Sequence, residues 1–296
     1  LLDVIQEMRL LQPSSMIQVS RRSPDRFIRR AIDIIKTGFG QPSVFNSDAI
    51  VQELVNQGKT LQDARTGGAS GCVESGSFGR EAYFLSGYLN LPKILELALN
   101  AGLDPRTGRQ VGPCTIAPGT MSSFDGVYAA FESQLRYFID LKIRGNVVIE
   151  RLYAEHMPVP FLSLVIDDCV ANAKDYHGGG ARYNTTYIQG VGLGTVTDAL
   201  ASIKHNVFET KRFTLGRMLE ALKSDFDRDQ DVLAVVRSGT PKYGNDDDRA
   251  DAIAVRVFES FYDAVNGRPN ARGGVHRINL LPTTVHVYFG SMTGAL

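Results

Sequence analysis

The sequence predicts an α/β fold, with short strands buried beneath helices. Two observations carry that prediction. Segments with apolar residues at helical spacing recur along the chain, and the runs between them are short and apolar or alternating. Helices interleaved with such strands describe strands covered by a helical layer. The 296 residues, 43% hydrophobic and 22% charged, suffice for one large α/β domain or two smaller ones. No internal repeat or low-complexity linker marks a boundary.

The elements follow in order. Leu1, Leu2, Val4, Ile5, Met8 and Leu11 make one helical face. The next helix runs through RSPDRFIRRAIDIIKTGFG, with Ser23 as its cap, Pro24 in its first turn and Gly38 at its end. PSVFNSD reads as a short strand or turn, and DAIVQELVNQG as a short helix. A Gly/Ser-rich loop follows around residues 67–77. Pro92 starts a helix that Gly102 stops, and Asp104, Pro105 and Gly108 build a turn. From Ser123 to His156 the spacing is helical, with Gly145–Asn146 as a candidate break. FLSLVID (161–167) reads as a buried strand. Residues 167–195 begin helical and become Gly-rich. Three short helices and a long one from Asp246 to Gly267 follow, the last with acidic residues at its positive end. The end of VHRINLLPTTVHVYFG alternates, with Val285, Val287 and Phe289 on one side.

Composition excludes several classes of function. Thirty-two basic residues balance thirty-two acidic ones, so no basic excess points to nucleic acid or a membrane surface. No apolar run is long enough to span a membrane. The three cysteines, Cys72, Cys114 and Cys169, are odd in number and far apart, which fits free thiols in a reducing, cytoplasmic setting. Histidines and cysteines show no metal-ligand spacing, so no metal site is expected. YIQGVGLGT has Gly190 and Gly192 but Thr195 where a dinucleotide fingerprint needs glycine, and reads as a structural turn.

The segment ASGCVESGS carries the chemistry. Small residues let the backbone enter a tight space. In extended chain, residues two apart point the same way, so Cys72 and Glu74 would face one volume. A carboxylate beside a thiol raises the thiol pKa and disfavours a thiolate nucleophile. A neutral thiol that gives and takes a hydrogen atom meets no such objection, and the carboxyl is then free to move protons.

Beyond that reading, SGCVESGSFGREAYFLSGYLNLPKILELALNAGLDPRTG resembles the active-site loop of the glycyl radical enzymes, the pyruvate formate-lyase-like family. GGARYNTTYIQGVGLGTVTDAL, PKYGNDDDRAD and GRPNARGGVHRINLLPTTVHVYFGS resemble further blocks of it, in order along nearly the whole chain. The residues after Gly-Cys-Val-Glu, a small polar residue and then Gly, resemble the hydroxyproline-dehydrating branch, with Ser75 where threonine is expected. The resemblance implies a ten-stranded α/β barrel with the cysteine loop threaded through its centre. Residues 1–296 would be the central part of the catalytic barrel domain. The N-terminal part and the glycine radical domain would lie outside this chain, since the Arg-Val-x-Gly-Tyr motif is absent from it.

The implied activity is that of a carbon–oxygen lyase. Cys72 would carry a thiyl radical and Glu74 would be the general acid/base. Tyr88 and Thr283 match substrate-contacting positions. The substrate would be a hydroxyproline-like molecule, and the product pyrroline-5-carboxylate. The glycyl radical would be installed by an S-adenosylmethionine-dependent iron–sulfur activating enzyme, and the full-length protein would be a homodimer. Other branches act on glycerol or diols, choline or isethionate, or as formate acetyltransferases, and remain alternatives. Alone, the 296-residue chain is expected to be inactive.

Overall fold

A computed structural model describes residues 1–70, 73–115, 120–281 and 287–293. The first stretch carries α1 (Leu2–Met8), β1 (Met16–Val19), α2 (Asp25–Ile34), β2 (Ser43–Asn46), α3 (Ser47–Asn56), α4 (Leu61–Arg65), β3 (Gly68–Ser70) and β4 (Glu74–Gly76). Then come β5 (Glu81–Asn90), α5 (Leu91–Leu99), the two-residue strands β6 (Leu103–Asp104) and β7 (Arg109–Gln110), α6 (Phe124–His156), α7 (Pro160–Leu164) and α8 (Asp167–Ala171). The rest holds β8 (Tyr183–Val191), α9 (Leu193–Ser202), α10 (Leu215–Lys223), α11 (Gln230–Ser238), α12 (Asp248–Val265), β9 (Val275–Asn279) and α13 (Val287–Gly290).

The chain forms two compact units. One is Leu1–Tyr83 with Tyr153–Asn184, the other Phe84–Leu152 with Thr185–Leu296. Each is drawn from two separated stretches, and the chain passes from one to the other inside β5, α6 and β8. Crossings inside regular elements leave no linker composition behind, which is why the sequence shows no boundary.

In the first unit, β1 and β2 pair in parallel and α3 packs beside them. Asn46 caps α3 by accepting from the Asp48 and Ala49 amides. Thr60 caps α4 by accepting from the Asp63 amide at 3.1 Å. Ile50, Leu54, Ala64 and Ala69 form a small core that joins both helices to β3.

The second unit is built on the sheet β5–β8–β9, with β8 central and parallel to β9 from Thr185↔Val275 to Gln189↔Asn279. Thr185 to Val191 are all buried, as expected of a central strand covered on both faces. Gly190 allows close packing: a Cβ there would lie 2.8 Å from Leu280 and from Phe261. Gly192, at φ 82°, turns the chain from β8 into α9. Asn90 caps α5 and Pro92 sits in its first turn. The Gly102 amide, at φ 83°, donates to the Leu97 carbonyl at 2.7 Å and closes the helix. Leu91, Leu95, Phe131, Ile188, Leu200 and Phe261 anchor one continuous core. Truncating Leu95 to alanine would cost about 2–5 kcal/mol.

The α/β class stands, and three element assignments change. FLSLVID is the short helix α7 and a turn, because Pro160 starts a helix and Phe161, Leu164 and Val165 are exposed. Only Ile166 of that run is buried. α6 runs unbroken through Gly145, where an added Cβ would meet nothing within 4 Å, so the glycine there marks no close approach that would break the helix. Val287–Gly290 is helical rather than alternating strand. At α2 the expected cap is displaced: Pro24 holds the N-cap position, and Ser23 instead accepts from the Ser20 amide.

Candidate active site

The Gly/Ser-rich segment is a β-hairpin. β3 and β4 pair antiparallel, Gly68↔Gly76, Ala69↔Ser75 and Ser70↔Glu74. Three residues, Gly71, Cys72 and Val73, separate the last ladder pair, and Val73 lies in a turn. Cys72 lies outside the described residues. The expectation that Cys72 and Glu74 face one volume therefore falls outside the described residues as well. The strand begins at Glu74, directly after the tip, and Ser70 faces it on the incoming strand.

The stem explains its small residues. A Cβ on Gly67 would lie 2.5 Å from the Gly76 carbonyl, and one on Gly68 2.5 Å from Gln18 Nε2. The backbone carbonyl cannot give way, so position 67 requires glycine, whereas at position 68 the Gln18 and Phe78 side chains would have to shift. Glu74 is half-buried, and its Oε2 accepts from the Val73 amide at 3.1 Å. Within residues 67–78 the neighbours are glycine, alanine, serine, valine and phenylalanine, with no cation or imidazole.

Ionic contacts grip the hairpin base. On the outgoing side, Glu81 Oε2 accepts from the Ser77 amide at 2.9 Å and pairs with Lys59 Nζ at 2.9 Å. On the incoming side, Arg80 donates to Thr66 Oγ1 at 2.9 Å and lies 3.2 Å from Asp63 and 3.3 Å from Asp167. Asp63 is buried and accepts from Tyr183 Oη at 2.7 Å and from Arg182. The Tyr183 hydrogen bond, with those of Thr60 and Arg182, outweighs burial and holds the Asp63 carboxyl below its ordinary range.

Tyr88 belongs to the second unit. It stands on β5 just after Gly87, whose φ is 123°, and its ring meets Phe289 edge-on at 6.1 Å. Lys142 of α6 donates to the Ser86 carbonyl at 2.5 Å, and its Nζ would lie 2.7 Å from a Cβ on Gly87. Burial lowers the Lys142 pKa. Thr283 lies outside the described residues, but the chain leading to it is well anchored. Buried Glu150 of α6 accepts from Thr186 Oγ1 and, at 2.8 Å, from the Ala271 amide. Arg272 donates to the Thr185 carbonyl at 2.8 Å and to Thr186 Oγ1 at 3.1 Å, and its guanidinium stacks 3.6 Å above the Phe84 ring. Gln189 donates to the Leu281 carbonyl.

Sequence reasoning missed Lys59, Glu81, Glu150 and Arg272. For Glu150 a signal exists: with Asn146 it continues the buried stripe of Leu135, Ile139 and Ile143, where a polar residue demands a partner. Among the described residues no group of three His, Cys, Asp or Glu is placed to hold a metal ion, and no helix is long and apolar enough to cross a membrane.

The antiparallel β3–β4 stem that leads into Glu74 stands in an α/β scaffold, and comparison with known proteins gives that scaffold its family. A model of the pyruvate formate lyase-like family matches residues 1–290. The chain belongs to that family, the glycyl radical enzymes. It is 52% identical over 295 residues to trans-4-hydroxy-L-proline dehydratase of Clostridioides difficile, matching 100% of this chain and 37% of that protein. Against (2S)-3-sulfopropanediol dehydratase of Klebsiella oxytoca the identity is 33%, over 97% of this chain and 35% of that one. The crystal structure of the C. difficile hydroxyproline dehydratase, with trans-4-hydroxy-L-proline bound, superposes with a TM-score of 0.96 over 99% of this chain and 37% of that one. A glycyl radical enzyme from Archaeoglobus fulgidus, 34% identical, gives 0.91 over 100% of this chain and 38% of that one. The chain thus has the fold of part of the family's α/β barrel. It spans little more than a third of the length of these relatives.

Proposed function

We propose that the whole protein is a hydro-lyase that converts trans-4-hydroxy-L-proline to pyrroline-5-carboxylate and water. The observation that carries the reading is Glu74, which follows Gly-Cys-Val in the sequence and stands half-buried at the first position of β4, paired with β3. The 52% identity to a hydroxyproline dehydratase, against 33% to a sulfopropanediol dehydratase, supports the substrate.

The family's glycyl radical supplies a hydrogen-atom acceptor that turns the Cys72 thiol into a thiyl. Cys72 then takes a hydrogen atom from the ring carbon between nitrogen and C4. Glu74 donates a proton to the C4 hydroxyl, the C–O bond breaks and water leaves. A proton from the ring nitrogen restores Glu74, and Cys72 returns its hydrogen atom to the ring. Substrate minus water equals product, and both side chains end as they began. Tyr88 and Thr283 orient the ring, and a positioned proton transfer of this kind contributes roughly 10²–10⁴ in rate. Activation by an S-adenosylmethionine-dependent iron–sulfur enzyme and a homodimeric assembly belong to the same proposal.

The test is activation of the whole protein without oxygen, followed by assay with trans-4-hydroxy-L-proline, glycerol, (2S)-3-sulfopropanediol and isethionate. Product from hydroxyproline alone is expected. Turnover of another of these substrates in its place assigns the protein to a different branch.

A further inference from the structure

We propose that Lys59 and Glu81 are positioning residues, a buried clamp that sets where the outgoing strand of the hairpin holds Glu74. The proposal rests on the dehydratase reading above and deepens it. Lys59 precedes the α4 cap and Glu81 opens β5, so the pair joins the two ends of the segment 59–81, which carries β3, β4 and Glu74.

Four observations carry the inference. The Lys59 and Glu81 side chains are 2% and 1% exposed and meet at 2.9 Å. The same Glu81 oxygen accepts from the Ser77 amide at 2.9 Å. A Cβ on Gly76 would lie 3.1 Å from that oxygen, so the carboxylate sits directly against β4. Lys59 is itself fixed: its amide donates to the Leu54 carbonyl at 3.1 Å and its Nζ to Gln57 Oε1 at 2.7 Å. From Ser77 back to Glu74 there are three residues, all of β4, in ladder pairing with β3. No slack separates the clamp from the general acid.

A buried ion pair adds little net stability, because both charges have lost their water, but removing one partner takes away the contact that locates the other. With Lys59 gone, the Glu81 oxygen that accepts from the Ser77 amide loses the ammonium 2.9 Å away that fixes it against β4. The outgoing strand then shifts. Proton transfer at the hairpin tolerates little displacement, since an error of about 1 Å far from the chemistry can cost 10²-fold. Changing both partners removes the charge mismatch between the two side chains, and glutamine at 81 keeps an oxygen for the Ser77 amide.

The experiment uses the activated whole protein with Lys59→Met, Glu81→Gln and the double variant. Radical content is read by electron paramagnetic resonance, and kcat and KM on trans-4-hydroxy-L-proline. Deuterium from D2O is followed in recovered substrate, and amide hydrogen exchange across residues 73–78. For Lys59→Met, radical content stays within about twofold and KM within about threefold, while kcat falls about 10²-fold, toward the cost of such a displacement. Recovered substrate gains deuterium, because hydrogen abstraction outruns elimination, and amide exchange across 73–78 quickens about tenfold or more. The double variant regains most of the lost kcat. Should Lys59→Met fail to fold, Glu81→Gln carries the test with the same signature. Unchanged kcat in the single variants, a double variant as slow as Lys59→Met, or a radical signal lost in step with activity would overturn the clamp. If the unaltered protein fails on hydroxyproline, the substrate reading fails. The clamp is then judged on the substrate it does turn over and on exchange across 73–78, where unchanged rates would sink it.

Discussion

The two chain segments that lead to candidate site residues are anchored by buried ion pairs of different design. Beneath the hairpin of the first unit, a compact ammonium meets one carboxylate oxygen, Lys59 to Glu81 at 2.9 Å. Beneath the segment 266–281 of the second unit, a guanidinium divides its donors between the Thr185 carbonyl and Thr186 Oγ1, lies on Phe84, and stands 3.6 Å from Glu150. Lysine is a point charge and arginine a planar fork. The lysine, which also donates to Gln57, holds a Glu81 oxygen that in turn takes the Ser77 amide. The arginine network ties a strand, a helix and a loop, and Asn270 reinforces it by accepting from the Arg272 and Gly274 amides. Under the proposed roles, a proton-transferring Glu74 would profit from a sharply located support, and a loop leading to a substrate contact from a stiff, distributed one.

The largest test of that contrast is Glu74→Gln. It leaves both anchors intact and removes the proton, so kcat/KM of the activated protein should fall roughly 10²–10⁴-fold with radical content unchanged. Steady-state kinetics beside a spin count measures it. Arg272→Met comes next. It strands Glu150, a side chain 1% exposed, and should lower the local stability of the loop by about 3–5 kcal/mol. Amide exchange at Ala271 and Gly274 should quicken by about two to four powers of ten, and the Arg272→Met/Glu150→Gln double variant should recover much of it. Full protection in the single variant would break the distributed-anchor description.

A second lysine pair sharpens the comparison at a less buried place. The hydrogen bond from Lys93, at 2.6 Å, with help from Thr107, holds the Asp104 carboxyl down at about 2. A carboxyl lowered in the folded state stabilises above its unfolded value near 3.8, and that contribution is lost as pH falls through about 2. Asp104→Asn should therefore cost about 2 kcal/mol at pH 5, and the gap to the unaltered protein should close as the pH drops below the folded value. Denaturant unfolding at several pH values measures it. The smallest expected effect is Thr60→Ala, which removes the α4 cap beside Lys59 and should cost about 1 kcal/mol by the same method.

Much of this protein was legible in one dimension. Helical periodicity fixed α2, α5, α9 and α12 to within a few residues, because each turns one apolar face inward. Asn90, Pro92 and Gly102 bound α5 through local hydrogen bonding and dihedral preference. Gly-Cys-Val-Glu among small residues, and the resemblance it carries, marked the family and the residues to examine. Run-by-run apolarity misled at FLSLVID, where Pro160 and solvent exposure favour a helix over a buried strand. Only the tertiary structure decided that residues 68–70 pair antiparallel with 74–76, that the Gly76 carbonyl demands glycine at 67, and that Lys59 reaches Glu81. Periodicity and capping depend on neighbours a few residues away and are therefore written in the sequence. Cross-strand spacing and buried charge pairs depend on groups that folding brings together, such as Arg182 and Asp63 across 119 residues, and no local pattern encodes them.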